Sequence, residues 1–450
     1  MKKSTLFLAV TLATVGLIVP FRAYSGSSDT RASGEQFVDL LAKGDFAGAV
    51  ARYDQTMRAA LPEPKLREAW QSVEAQAGGF RKRLQTRLLK IESYDVALVT
   101  CEFERAKLET KVVFNAQGEV SGLFFLPSTA GTESAGLPSY VRTNAFREKD
   151  FVVGSGEWRL PGTLTLPLSK NGKRVPAIVL VHGSGPNDRD ETIGAARPFR
   201  DLAWGLATKG VAVLRYEKRT KEYAARFIAD KPKLTAREET IDDALVAVNQ
   251  LRQSEGIESN RIFVLGHSFG GTVAPRIGEA DVRIAGLIVM AGATRHIEDM
   301  LVEQNRYILS LPGVHFSFVE QEQLRDLEAK VAQIKKLTSA DESSSTVILG
   351  APPAYWLDLR AHDPVAEASR LKQPVLILQG GRDYQVTPAQ FDEWKKGLEG
   401  STSATFKLYS ELNHLFIAGK GKSTPQEYDA PGHVAEEVVT DITDWVLKVP

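Results

Sequence analysis

The stretch that most constrains this chain is Gly266-His267-Ser268-Phe269-Gly270, because of what flanks it. The run Arg261-Ile262-Phe263-Val264-Leu265, apolar after its first residue, precedes it, and Gly271-Thr272-Val273-Ala274 follows. That is the pattern of a buried strand turning sharply into a helix. A serine at such a turn sits on strained backbone with its hydroxyl presented outward, and a side chain at either flanking glycine would collide with neighbouring main chain. Ser268 is therefore the candidate nucleophile. In a chain of 450 residues with 36 glycines a five-residue match can arise by chance, so its weight depends on whether the rest of the sequence supplies an acid, a base and oxyanion donors.

The surrounding pattern places the motif in an α/β architecture. Continuous apolar runs at 176–181, 211–214, 262–265, 284–290, 374–379 and 404–409 read as strands, and helical periodicity at 198–207, 236–251, 269–278, 388–398 and 432–447 fills the gaps. Strands without alternation, spaced by helices, predict a mostly parallel sheet covered on both faces. Two further strand-like runs, 146–153 and 158–166, lead into it through the turn Ser169-Lys170-Asn171-Gly172-Lys173. Together they make the α/β-hydrolase arrangement, expected over 141–450. From about 295 to 370 the alternation breaks. Leu324, Leu327, Val331, Ile334 and Leu337 recur every three or four residues there, an amphipathic helix in an insertion expected to cap the active site.

Ahead of this domain the sequence changes character. Phe37, Val38, Leu40 and Leu41, then Phe46, Val50 and Tyr53, then 62–73 are helical in pattern, whereas Ala97, Val99, Cys101 and Phe103 alternate with polar residues as in a half-buried strand. Strand character recurs at 111–114 and 120–126 around the turn Asn115-Ala116-Gln117-Gly118. A small α+β domain is expected over 33–127, followed by a Ser/Thr/Gly/Pro-rich linker at 128–140. Cys101 belongs to the apolar face and is assigned a structural role. At the start, Met1-Lys2-Lys3, the apolar centre from Leu6 to Pro20 and the small residues Ala23 and Ser25 form a signal peptide over 1–25. An exported protein, periplasmic or secreted, with no stable membrane insertion after cleavage is the expectation. Lys and Arg together number 56, as do Asp and Glu, so the charge balance does not call for nucleic acid as a partner.

A serine needs a base, and histidine both accepts and returns a proton near neutral pH. The fold requires the chain order Ser, acid, His, with the acid and base on loops after late strands. Of seven histidines, His414 in Glu411-Leu412-Asn413-His414-Leu415-Phe416 meets the requirement, and His433, at the expected start of the last helix, is the rival. Asp383, in Gly380-Gly381-Arg382-Asp383 after the penultimate strand, is the expected acid, whereas Asp363 before Pro364 reads as a helix start. The oxyanion donors are expected at the amides of Phe269 and of Ser184, the latter in His182-Gly183-Ser184-Gly185-Pro186 after the first parallel strand. His182 is read as bracing that loop.

Taken together, Val181 to Glu191, Arg215-Tyr216-Glu217-Lys218-Arg219, the Gly266 to Gly271 stretch and Gly380 to Asp383 resemble bacterial α/β-hydrolases of the carboxylesterase type, related to dienelactone hydrolases and to prolyl-oligopeptidase catalytic domains. The leading α+β domain resembles the nuclear-transport-factor-like domains that precede hydrolases in some secreted bacterial proteins. The resemblance implies Ser268, Asp383 and His414 as a catalytic triad acting on a small-molecule ester, without cofactor or metal. A peptidase, amidase or thioesterase with the same triad is the alternative, and a non-catalytic binding module on a hydrolase scaffold is another. Asn187 to Glu191 and Arg215 to Arg219 read either as support for the oxyanion loop or as ordinary surface charge.

Overall fold

A computed structural model describes residues 28–91, 94–127, 136–168, 172–223, 234–311 and 318–449. The expected signal peptide, most of the expected linker and the Ser169 to Asn171 part of the expected turn lie outside these residues. The described chain falls into two compact units, over 28–127 and over 136–449. Among the described residues no helix is long and apolar enough to cross a membrane.

The first unit opens with helices Ser28–Ala42, Phe46–Ala51, Gln55–Ala60 and Glu63–Ala77. Asp45 and Asp54 cap the second and third, their carboxylates accepting from the amides of Gly48 and Met57. Strands β1 (Phe80–Ile91), β2 (Tyr94–Phe103), β3 (Lys107–Phe114) and β4 (Val120–Pro127) form an antiparallel sheet in that order. Period-two alternation puts Ala97, Val99 and Cys101 on one face, where they share a core with Phe37, Leu41 and Trp70 of the helices. Burial pushes the Cys101 thiol up to about 11, so it stays protonated.

The second unit is built on eight strands: β5 (Phe146–Val153), β6 (Leu160–Pro167), β7 (Val175–Val181), β8 (Ala212–Tyr216), β9 (Ile257–His267), β10 (Gly286–Met290), β11 (Val375–Gly380) and β12 (Ala404–Tyr409). Their order across the sheet is β12-β11-β10-β9-β7-β8-β6-β5. β7 to β12 pair in parallel, while β5 and β6 form an antiparallel hairpin whose second strand pairs antiparallel with β8. This is the order of the α/β-hydrolase fold. Alternate residues of each central strand point to opposite faces: Ile178 and Leu180 pack with helices Pro198–Thr208 and Glu436–Lys448, whereas Ala177, Val179 and Val181 pack with Asp242–Arg252 and Phe269–Ala280. Both faces being covered, the buried lengths of the central strands are continuous apolar runs.

Among the boundaries that differ from the sequence reading, two have a plain tertiary cause. β9 starts at Ile257, earlier than the apolar run, because Val175 and Gly256 extend the pairing into a polar segment. The last helix starts at Glu436 instead of 432, because the Val434 amide donates to Asp201 and the Ala435 amide to the Phe416 carbonyl, which holds this stretch extended. In the insertion, helices Ile297–Leu309, Phe318–Lys335, Pro353–Arg360 and Pro364–Arg370 are present, with Val331 and Ile334 buried as their spacing predicts.

Candidate active site

Parallel strands put all their carboxyl ends on one edge of the sheet, and loops from β7, β9, β11 and β12 converge there. At the end of β9, Ser268 adopts φ 54°, ψ −118°, a conformation that non-glycine residues rarely take. Its own amide donates to the Met290 carbonyl at 2.9 Å, and its carbonyl accepts from Thr272 at 3.0 Å. The glycines on either side have no room for a side chain: a Cβ on Gly266 would lie 2.0 Å from the Gly270 carbonyl oxygen, and one on Gly270 would lie 2.2 Å from that of Val181. Ser268 thus stands between a strand end and the first turn of Phe269–Ala280, whose leading N–H groups, that of Phe269 included, have no acceptor within the helix.

Asp383 and His414 are brought together directly. His414 Nδ1 lies 2.7 Å from Asp383 Oδ2, and both side chains are buried. The same Oδ2 accepts from Gln379 Nε2 at 3.1 Å, while Oδ1 accepts from the amides of Gln385 and Val386 at 2.8 and 3.0 Å. A carboxylate that already takes three N–H donors is fixed in place, and the imidazole nitrogen it faces is Nδ1, which leaves Nε2 as the nitrogen not engaged by the acid. The alternatives fall elsewhere. Asp363 caps helix Pro364–Arg370 through the amides of Val365 and Ala366, and His433 precedes the last helix with its Nδ1 3.0 Å from buried Asp201.

The loop after β7 is held by charge that its sequence did not show as buried. Glu191 is 1% exposed; its Oε1 accepts from the Gly183 amide at 2.6 Å, and its Oε2 is in ion-pair contact with His267 Nδ1 at 2.8 Å. His267 Nε2 lies 3.0 Å from the carbonyl oxygen of His414, and the two imidazoles sit 4.8 Å apart. His267 therefore ties the residue before Ser268 to the loop of His414. Burial works against a charged His267, but Glu191 outweighs it and raises the imidazole above its ordinary range; Glu191 is correspondingly lowered. Arg215 pairs with Asp190 at 2.8 Å, Arg189 with Glu217 at 2.8 Å, and Lys218 with Glu239 at 2.6 Å. The surface-charge reading of these runs is thereby overturned for Glu191, Arg215 and Lys218, all of which are buried. His182 braces the loop, its Nε2 3.0 Å from the Asp188 carbonyl oxygen.

Ser184, Ser268 and Phe269 line one pocket. Its apolar wall comes from Val273 and Val386 and from Ile297, Met300, Leu301 and Leu359 of the insertion, so the insertion does border the site. Thr272, Arg276, Gln304, His362 and Glu367 are among its polar lining residues. Arg276 is occupied by Asp358 at 2.9 Å and Glu367 by His362 at 2.5 Å.

Residues 173–420 match the family described as serine aminopeptidase, S33, and residues 34–123 match one described as a protein of unknown function (DUF3887). Esterase EstD of Thermotoga maritima is 37% identical over 414 residues, 92% of this chain and 94% of that protein. Among solved structures, an esterase of Pyrococcus furiosus is 16% identical with a TM-score of 0.42, covering 68% of this chain and 92% of its own. The acylaminoacyl peptidase of Pyrococcus horikoshii is 15% identical with a TM-score of 0.44, covering 82% of this chain and 56% of its own.

Proposed function

The chain belongs to the S33 serine aminopeptidase family of α/β-hydrolases and is an ester-hydrolysing enzyme, and from that premise we propose that it works through an acyl-enzyme formed on Ser268. His414 Nε2 takes the serine proton as Oγ attacks the acyl carbonyl, and returns it to the departing alcohol. Asp383 holds the tautomer and stabilises the imidazolium. The amides of Ser184 and Phe269 donate to the oxyanion, and water then releases the acid. What supports this reading is the buried Asp383–His414 pair, together with a serine held at positive φ that lines a pocket.

The family's description raises a peptidase as the second reading. An aminopeptidase must hold the ammonium group of a free N terminus, which calls for an available carboxylate near the nucleophile. Glu367 is the carboxylate among the pocket residues; His362 Nδ1 engages its Oε1 at 2.5 Å, while its buried Oε2 has no hydrogen-bond partner. The 37% identity to an esterase over nearly the whole of both chains is what favours an ester over a peptide N terminus. Assay of a panel of acyl esters, acyl thioesters and aminoacyl amides tests the choice: ester turnover that disappears in folded Ser268→Ala is expected. Amide cleavage without ester cleavage, or an active pure S268A, would overturn it.

Residues 1–25 support export. N-terminal sequencing of the mature protein is expected to begin after about Ser25, and an intact Met1 in the exported fraction would contradict cleavage.

A further inference from the structure

Lys218 is a buried cation with no part in the chemistry above. Its Nζ donates to the Gly183 carbonyl oxygen at 2.8 Å and pairs with Glu239 Oε1 at 2.6 Å, both side chains being almost wholly buried. Glu239 lies in a π-helical turn, Arg237–Ile241, an irregularity that recurs at functional sites. Its second oxygen accepts from the Tyr355 hydroxyl at 2.6 Å, and Tyr355 belongs to helix Pro353–Arg360 of the insertion. Burial, with the Glu239 charge beside it, raises Tyr355 well above its ordinary range, so the phenol keeps the hydrogen it donates.

The consequence lies in the peptide that Lys218 grips. The Gly183 C=O and the Ser184 N–H belong to one planar trans peptide and point in opposite directions. Pinning the carbonyl from one side therefore aims the amide hydrogen at the other. Asn187 Nδ2 holds the same carbonyl at 3.1 Å, and Glu191 holds the preceding N–H at 2.6 Å. A cation on the carbonyl also polarises the peptide and makes the Ser184 N–H a stronger donor. Lys218 Nζ sits 5.5 Å from the centre of the Phe269 ring, beside the residue that supplies the other donor.

We propose that Tyr355, Glu239 and Lys218 form a buried relay that positions the oxyanion peptide from the insertion, so that the packing of the insertion governs catalytic rate. The inference rests on the esterase reading. Each member acts as a positioning residue, since none touches the reacting atoms.

A relay of this kind changes the transition state and leaves substrate binding nearly alone. Removing Lys218 by itself strands a buried carboxylate. The test therefore uses the charge-neutral double variant Lys218→Met/Glu239→Gln, with Tyr355→Phe as the second variant. Two quantities are measured: the kcat and KM of a short acyl ester, and the affinity of an alkyl trifluoromethyl ketone, which adds to the serine as an oxyanion. In the double variant kcat is expected to fall about 10- to 100-fold with KM within threefold, below the full loss of an oxyanion donor, and ketone affinity to fall by the same factor. Tyr355→Phe is expected to lower both at least about threefold. Either variant, folded by its melting curve, with kcat and ketone affinity within twofold of the wild type overturns the relay. If the double variant does not fold, Tyr355→Phe decides alone. A wild-type protein that neither turns over the ester nor binds the ketone would instead refute the esterase reading.

Discussion

Gly266, the next-to-last residue of β9, sits where a Cβ would meet three backbone atoms of Gly270 and Gly271 at 2.0–2.6 Å. Backbone cannot yield as a flexible side chain can, so Gly266→Ala is expected to lower stability by more than about 3 kcal/mol, at the severe end of single substitutions. Urea unfolding of the variant measures it; a loss under about 1 kcal/mol would mean the turn relaxes freely. Asp383→Asn tests the acid at the same scale. The amide can turn its NH₂ toward Nδ1 and reverse the tautomer, so kcat is expected to fall on the order of 10³- to 10⁴-fold with little change in fold, measurable in the ester assay and by near-UV circular dichroism. The Asp383–His414 pair and the strained turn at Ser268 were legible because each residue follows a strand in the order that the fold imposes. Their supports were not. Gln379 lies within an apolar strand, and Glu191, Lys218 and Glu239 lie in runs of mixed charge, where sequence does not distinguish a desolvated ion from a hydrated one. His267 was the readable exception in kind, a histidine inside the motif itself, but its partners are 76 and 147 residues away.

At the scale of elements, burial on both faces made the parallel strands plain, since it forces continuous apolar runs. Helix starts were harder. Val434 and Ala435 satisfy their amides with Asp201 and Phe416 instead of a first helical turn, a choice made by tertiary contacts. The insertion was visible as a break in alternation and one amphipathic helix expected to cap the site, but which of its side chains line the pocket was not. Helix Ile297–Leu309 sends Ile297, Met300, Leu301 and Gln304 into that wall. Enlarging Met300 takes space from whatever acyl group reaches it. Met300→Trp is therefore expected to lower kcat/KM for long acyl esters at least about tenfold more than for acetyl esters, a difference of about 1.4 kcal/mol. A uniform drop across a chain-length series would place the acyl group elsewhere in the pocket.

For the molecule as a whole, a sheet edge loaded with buried ionisable groups makes stability depend on pH. His182 is the clearest case. Burial is the largest cause of its depression from 6.5 to about 4, with Lys218 acting the same way and Glu191 against it. A histidine with a lowered folded value is neutral when folded and protonated when unfolded between those two values. Its contribution is complete above about pH 6.5 and is lost progressively as the pH falls toward 4. Between pH 7 and 5 the loss is about 2 kcal/mol. Glu191, lowered chiefly by His267 against the cost of burial, adds stability that is present above its unfolded value and lost as the pH falls through its folded one. His267, raised by Glu191, works in the opposite direction: its share is present below about 6.5 and is lost as the pH rises through the folded value. Maximum stability should therefore fall near neutral pH, with the acid side governed first by His182. Replacing His182 with Gln keeps a donor for the Asp188 carbonyl and removes the titration. Denaturant unfolding at pH 7 and pH 5 is expected to show the wild type losing about 2 kcal/mol more than His182→Gln over that interval. Equal losses in the two proteins would move the acid sensitivity to other groups.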